Sequence, residues 1–318
     1  MKKIIITAAT LSFLALLLLF PTIALKGAKS GLLLWFETVL PTLLPFLIIS
    51  NFIMQFRITD CLTSFLSPVV GKLLGISNAG CYPMLIGMLS GYPVGAKACS
   101  DLVKSGQISR EEGQFLLCFC NNASPMFIIS FITIQCLQRE NKGFLVLLII
   151  YSSGFLTACM YRLTCCRKKS SQKTVQEHTI TTAHIQEEPC RLSPFTVLDN
   201  TILNAFIILT KVGGYIILFS ILAEIVLHLS IIPADIRYFI IGFLEITTGT
   251  AAIGISGFPF TKKIVLINAL TAFGGLSSHA QTFSVIMHSG LSMKKYFVFK
   301  CVNACFAAIL TFFFIHAF

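Results

Sequence analysis

Cys120-Asn121-Asn122-Ala123-Ser124-Pro125 breaks the uncharged run from Gly113 to Gln138, and Gly274-Gly275-Leu276-Ser277-Ser278-His279-Ala280-Gln281 breaks the run from Val265 to His288. Each follows an earlier interruption by about 30 residues: Ser90-Gly91-Tyr92-Pro93 in the first half, and Glu245-Ile246-Thr247-Thr248-Gly249 in the second. In hydrocarbon an opened backbone is costly unless protein or a water-filled cavity satisfies its polar groups. Broken helices that recur in the same order therefore point to a carrier's binding site.

Working outward, composition agrees. The chain of 318 residues is 55% hydrophobic and only 12% charged, with a mean hydropathy of +0.84, which places it in the membrane class as one integral unit. The net charge of +11 raises the question of nucleic acid as a partner, but many cations flank apolar runs (Lys2-Lys3, Arg162, Arg167-Lys168-Lys169, Lys294-Lys295), where they meet lipid headgroups. No nucleic acid is expected. Most of the 12 cysteines lie in or beside apolar segments without a CxxC pair, so they read as small buried hydrophobes rather than a disulfide framework or a metal site. No metal and no cofactor are expected. Met1-Lys2-Lys3 followed by the uncharged run Ile4 to Leu25 resembles a signal peptide, but the run is long and lacks a clean cleavage site, so an uncleaved first span is the preferred reading.

The organisation is all-α and polytopic, with about nine apolar segments. Residues 1–30 are expected to form an N-terminal span, 31–163 a first membrane repeat, 164–198 a hydrophilic cytoplasmic linker, and 199–318 a second repeat. Each half offers a long helix, two broken helices and a plain helix (Gly143 to Tyr161, then Tyr296 to Phe318). If Lys2-Lys3 and the Arg162 to Lys173 cluster are both cytoplasmic, the first half crosses an odd number of times, one of its segments is re-entrant, and the second half enters inverted.

The breaks supply the candidate site residues. Ser90, Gly91, Tyr92 and Lys97 offer a hydroxyl, close backbone approach, a phenol and a cation, and a half-helix starting there presents N–H groups to an anion; the stretch equally fits packing glycines with an interfacial Tyr and Lys. Asn121 and Ser124 are spaced to share a helix face, with Pro125 freeing a carbonyl, and Asn122 beside them exceeds what interhelical glue needs. Glu245 is an ionisable carboxyl within an apolar run and must face a cavity, pair or take a proton, with Lys211 as the alternative partner; Thr248 and Gly249 extend its face. Gly274, Ser277, Ser278 and Gln281 recur at helical spacing as a polar, close-approach stripe, which a packing seam would also explain in part, and Gly275 lies within that break. Glu37, Asp199 and Glu224 are read as interfacial, and His178, His184 and His279 lack a ligand pattern. No fingerprint of an enzyme accompanies these residues, so no catalytic residue and no enzyme activity are expected.

GMLSGYPVGAK (Gly87 to Lys97), CNNASPMFI (Cys120 to Ile128), EITTG (Glu245 to Gly249) and GGLSSHAQ (Gly274 to Gln281), in this order and spacing, resemble the YlbJ-type sporulation integral membrane proteins. The resemblance covers roughly Gly31 to Phe318 and rests on four motifs that are specific together and weak singly. It implies a nucleoside-recognition Gate domain, a nucleoside-transporter-like fold of two inverted repeats, and location in the cell membrane or outer forespore membrane of a spore-forming bacterium. It further implies a role in moving dipicolinic acid toward the developing spore.

Two half-helix N-termini and Lys97 would suit the two carboxylates of dipicolinate, whereas a nucleoside would use Asn121, Ser277, Gln281 and an ionised Glu245 directly; the residues alone leave both open. Expected partners are the lipid bilayer and the small solute, with a homo-oligomer or other sporulation membrane proteins as further candidates. The rival of a different class is a non-transporting assembly or sensing protein whose breaks are packing seams.

Overall fold

The computed structural model describes residues 2–55, 63, 67–166 and 193–318. Residues 167–192, which hold most of the expected linker with its Arg167-Lys168-Lys169 cluster and both of its histidines, lie outside the described residues, as does much of the short connector after residue 55. Among the described residues every regular element is helical. Among the described residues four helices are long and apolar enough to cross a bilayer, Pro21–Ile49, Glu140–Cys165, Phe195–His228 and Met293–Phe313, and the protein is a multi-pass membrane protein.

Helix α1 (Lys2–Leu19) ends at a bend where Pro21 opens α2 (Pro21–Leu33); a π-wound stretch, Leu34–Val39, carries the run on into α3 (Leu40–Gln55). The boundary expected at residue 30 therefore falls inside a helical run, because the proline that cannot continue α1 is well placed at the start of α2. Then come α4 (Asn78–Ser90), α5 (Val94–Lys104), α6 (Arg110–Cys120), a second π-wound stretch (Phe127–Cys136) and α7 (Gly143–Tyr161). The second half comprises α8 (Pro194–His228), α9 (Ala234–Leu244), α10 (Ile246–Ile255), α11 (Phe260–Phe273), α12 (Gly275–Ile286) and α13 (Met293–Phe313).

The first broken helix of each half folds back on itself. A Cβ built on Gly95 would sit 2.6 Å from the Gly87 Cα, so α4 and α5 touch backbone to backbone, and one built on Gly249 would overlap the Gly242 Cα, so α9 and α10 do likewise. Small residues permit this approach, and both segments are helical hairpins. The second broken helices, α6 to Cys136 and α11 to α12, run onward instead.

Contacts at the bundle's two ends fix the direction of every segment. At one end the start of α4 meets Glu112 of α6, whose Oε1 accepts from the Ser77 N–H at 2.6 Å, while Gln114 accepts from the Ser292 N–H at 2.5 Å and the Arg162 guanidinium lies 4.8 Å from the Phe115 ring centroid. At the other end Gly254 packs on the Cys136 carbonyl, Arg139 stacks 4.6 Å from the Phe260 ring centroid, and Arg237 donates to the Leu227 carbonyl at 2.9 Å. The hairpin α4–α5 opens at the first end and α9–α10 at the second.

Helix α8 lies antiparallel to the α2–α3 run. Gly27 and Gly31 seat against Ile221, Ser220 and Ile217, the Trp35 ring covers Gly213, and its Nε1 donates to the Leu209 carbonyl at 2.9 Å. Glu224, expected at a membrane interface, is instead buried in this seam and ion-paired to Lys26 at 2.6 Å, because glycine at position 27 lets the α8 backbone come close. Glu37 and Asp199 are exposed. The nine cysteines identified as free include five that are buried, as hydrophobic packing requires.

Candidate solute chamber

Both hairpin tips and both later breaks meet at one chamber. It is lined by Ser90, Gly91, Tyr92 and Val94 from the first tip, Ala123, Ser124 and Phe127 at the first later break, Glu245, Ile246 and Thr247 from the second tip, and Ser277 and Gln281 of α12. Val39, Leu43 and Leu47 of the α2–α3 run and Ile208, Leu209, Val212 and Ile216 of α8 close it with an apolar wall.

Four half-helices begin here: α5 at Val94, the stretch that leads into Phe127, α10 at Ile246 and α12 at Gly275. The opening N–H groups of a helix lack partners within it, and the helix dipole makes that end positive, so the chamber wall favours negative charge. The resident acid answers one of these ends. Glu245 Oε2 accepts from the Thr248 N–H at 2.7 Å and from the Thr247 hydroxyl, while Oε1 accepts from Ser277 Oγ at 3.3 Å. It caps α10 in extended backbone geometry, and no ion pair joins it to Lys211, which is exposed.

Unused polar atoms also lie in the chamber. The Tyr92 hydroxyl and Gln281 Oε1 are buried and have no hydrogen-bond partner, and Gln281 is 4% exposed. Buried polar groups are nearly always satisfied, so these two atoms beside four helix N-termini stand out as available for bonding. The cavity volume is about 40 Å³. That holds a few waters, less than a ring-sized solute needs.

The predicted site residues fall into two groups. Ser90, Gly91, Tyr92, Ser124, Glu245, Ser277 and Gln281 line the chamber. Lys97 is exposed on α5, away from it. Thr248 turns its hydroxyl to Ser220 Oγ of α8 at 2.7 Å, and Gly249 packs on Gly242, so the polar face expected on α10 is divided between two neighbours. Ser278 donates back to the Gly275 carbonyl at 3.1 Å, and a Cβ on Gly275 would sit 3.0 Å from the Ile246 nitrogen, locking α12 to the second tip. His279 bonds the Gly275 carbonyl at 2.7 Å and stacks on Phe273.

Asn121, Ser124 and Pro125 do not share a helix face, since residues 121–124 are unwound. Asn121 Nδ2 donates to Thr282 Oγ1 and to the Tyr296 hydroxyl, both at 2.9 Å, whereas Ser124 accepts from the Phe127 N–H. Asn122 donates to the Phe119 carbonyl at 2.6 Å, and its Oδ1 accepts from Lys300 Nζ at 2.9 Å and from Asn303 Nδ2 at 3.3 Å.

Lys300 is what sequence reasoning missed. It sits 1% exposed in a helix read as a plain span, with Tyr296 and Asn303 on the same face, and Asn303 also reaches the Ala272 carbonyl beside the other break at 3.2 Å. The signal was available: Tyr296, Lys300 and Asn303 recur at i, i+4 and i+7, and an intramembrane lysine is costly unless it has a task.

The chain is similar to the sporulation integral membrane protein YlbJ of Bacillus subtilis (strain 168), at 25% identity over a 334-residue alignment that covers 97% of this chain and 81% of that protein. Similarity along nearly the whole length supports the YlbJ-type assignment reached from the four motifs. No family model matches the chain, and no solved structure matches it.

Proposed function

We propose that this YlbJ-like protein is a sporulation membrane carrier that passes a small polar solute through the chamber between its two hairpin tips, without covalent chemistry, and that the solute is dipicolinate. The observation that carries the reading is the convergence of four half-helix N-termini on a chamber that also holds the unpartnered Tyr92 hydroxyl and Gln281 Oε1. Positive helix ends suit carboxylates, and the two orphan groups would orient a planar ring. Hairpins opening at opposite ends of the bundle support an arrangement of two inverted repeats resembling that of nucleoside carriers, which would expose the chamber to each side in turn.

One observation favours a neutral, nucleoside-like cargo instead: none of the chamber-lining residues is a cation, and Glu245 is an acid. Uptake into vesicles reconstituted with the purified protein separates the two. Labelled dipicolinate should enter, excess nucleoside should not compete, and Gln281→Leu should lower uptake about tenfold, the equivalent of roughly 1.4 kcal/mol for one lost hydrogen bond to a charged group. Competition by nucleoside with no dipicolinate entry favours the second reading, and a Gln281→Leu protein that transports like the parent removes the chamber from the pathway.

A further inference from the structure

Behind the first later break lies an oxygen-lined position filled by the Lys300 amino group. Lys300 Nζ donates to the Asn121 carbonyl at 3.3 Å and to Asn122 Oδ1 at 2.9 Å, and the residue is 1% exposed. Its acceptors are neutral, and among the described residues no carboxylate pairs with it. A lone lysine so deep within a helical bundle is expensive, and packing alone would be met by Leu or Met. What it meets is a backbone that has come unwound. The Asn121 carbonyl is released by the break, and the Asn122 amide is oriented by its own Nδ2 bond to Phe119 and by Asn303, so two oxygens converge on one point.

This point is tied to the chamber. The Asn122 carbonyl accepts the Tyr92 N–H at 2.9 Å, so the residue that holds the ammonium by its side chain holds the first hairpin tip by its backbone. Ala123 and Ser124, next along the chain, line the chamber.

We propose that the unwound segment at Asn121 and Asn122 is a site for a small monovalent cation and that Lys300 occupies it as a tethered cation, holding the chamber wall and first hairpin tip in place. Lys300 is thus a positioning residue. Only this functional consequence depends on the carrier reading; the cation site itself is read through stability. Shortening the side chain should leave a vacancy that a free cation of similar size can fill.

The test uses the full chain purified in detergent, with thermal unfolding followed in methylammonium, ammonium, sodium or potassium chloride against choline chloride at equal ionic strength. The parent should respond alike to all salts. Lys300→Ala should unfold several degrees lower and regain most of the loss, saturably, in about 100 mM methylammonium or ammonium but not in choline, since a ligand that binds only the folded state stabilises it. Lys300→Met, which fills the space without charge, should stay low in every salt. A Lys300→Met protein as stable as the parent overturns the proposal. So does a Lys300→Ala protein that gains nothing over choline, including one too unstable to purify in methylammonium. If the rescue occurs but no dipicolinate uptake is found for the parent, the cation site stands and the carrier reading falls.

Discussion

Glu245 shows how an acid is accommodated in an apolar run. The sequence demanded a cavity, a pair or a proton; the fold supplies a helix end, where three donors meet the two carboxylate oxygens. Glu245→Ala should therefore destabilise the protein by about 1 to 3 kcal/mol, because the Thr248 N–H and the hydroxyls of Thr247 and Ser277 lose their acceptor, while Glu245→Gln keeps one oxygen and should cost less. Chemical denaturation in detergent, comparing both with the parent, reads the difference; equal stability of all three would mean the cap contributes nothing. That Glu245 must find a cavity, a pair or a proton is legible from its charge alone, whereas Lys300 lies inside the segment from Tyr296 to Phe318 that reads as a plain span, and its polar neighbours Asn121 and Asn122 are about 180 residues away in sequence. Asn121 and Asn122 read as polar excess from the sequence, but helical spacing cannot tell that an unwound turn directs their side chains toward α13.

Breakers tell where a helix stops and nothing about where the chain goes next. Gly91 and Pro93 in one half, and Thr247 to Gly249 in the other, announced interruptions, yet whether each segment doubles back is decided by partners elsewhere in the sequence. For the two hairpins those partners are glycines, Gly87 with Gly95 and Gly242 with Gly249, whose missing side chains let the arms touch. The later breaks carry no such matched pair across their arms, and they run straight on. Gly249→Val should force α9 and α10 apart and lower both the melting temperature and solute uptake, since overpacking a close backbone contact costs on the order of 1 to 3 kcal/mol. Gly257→Ala is the control: a Cβ there meets nothing within 4 Å, and its effect should stay within about 0.5 kcal/mol. If the valine variant behaves like the alanine one, the glycine pair does not hold the hairpin closed.

At the scale of the whole molecule the contacts at the two ends give a direct count. From Pro21 to residue 166 the chain passes end to end three times, in the α2–α3 run, in α6 to Cys136 and in α7, and the hairpin α4–α5 returns to where it began. From Pro194 the series is again three passes and one hairpin, now starting from the opposite direction. On the proposed reading of two inverted repeats, an odd number of crossings per half would put the second hairpin upside down relative to the first and let two tips entering from opposite faces meet near the midplane. The loop after α5 and the loop after α10 should then lie on opposite sides of the membrane. Short protease sites inserted after Ser105 and after Gly257, both exposed, test this in sealed vesicles of known orientation. The first should be cut only from one side and the second only from the other; cutting of both from the same side would require one hairpin to be a full crossing, and the chamber would lose one of its two tips.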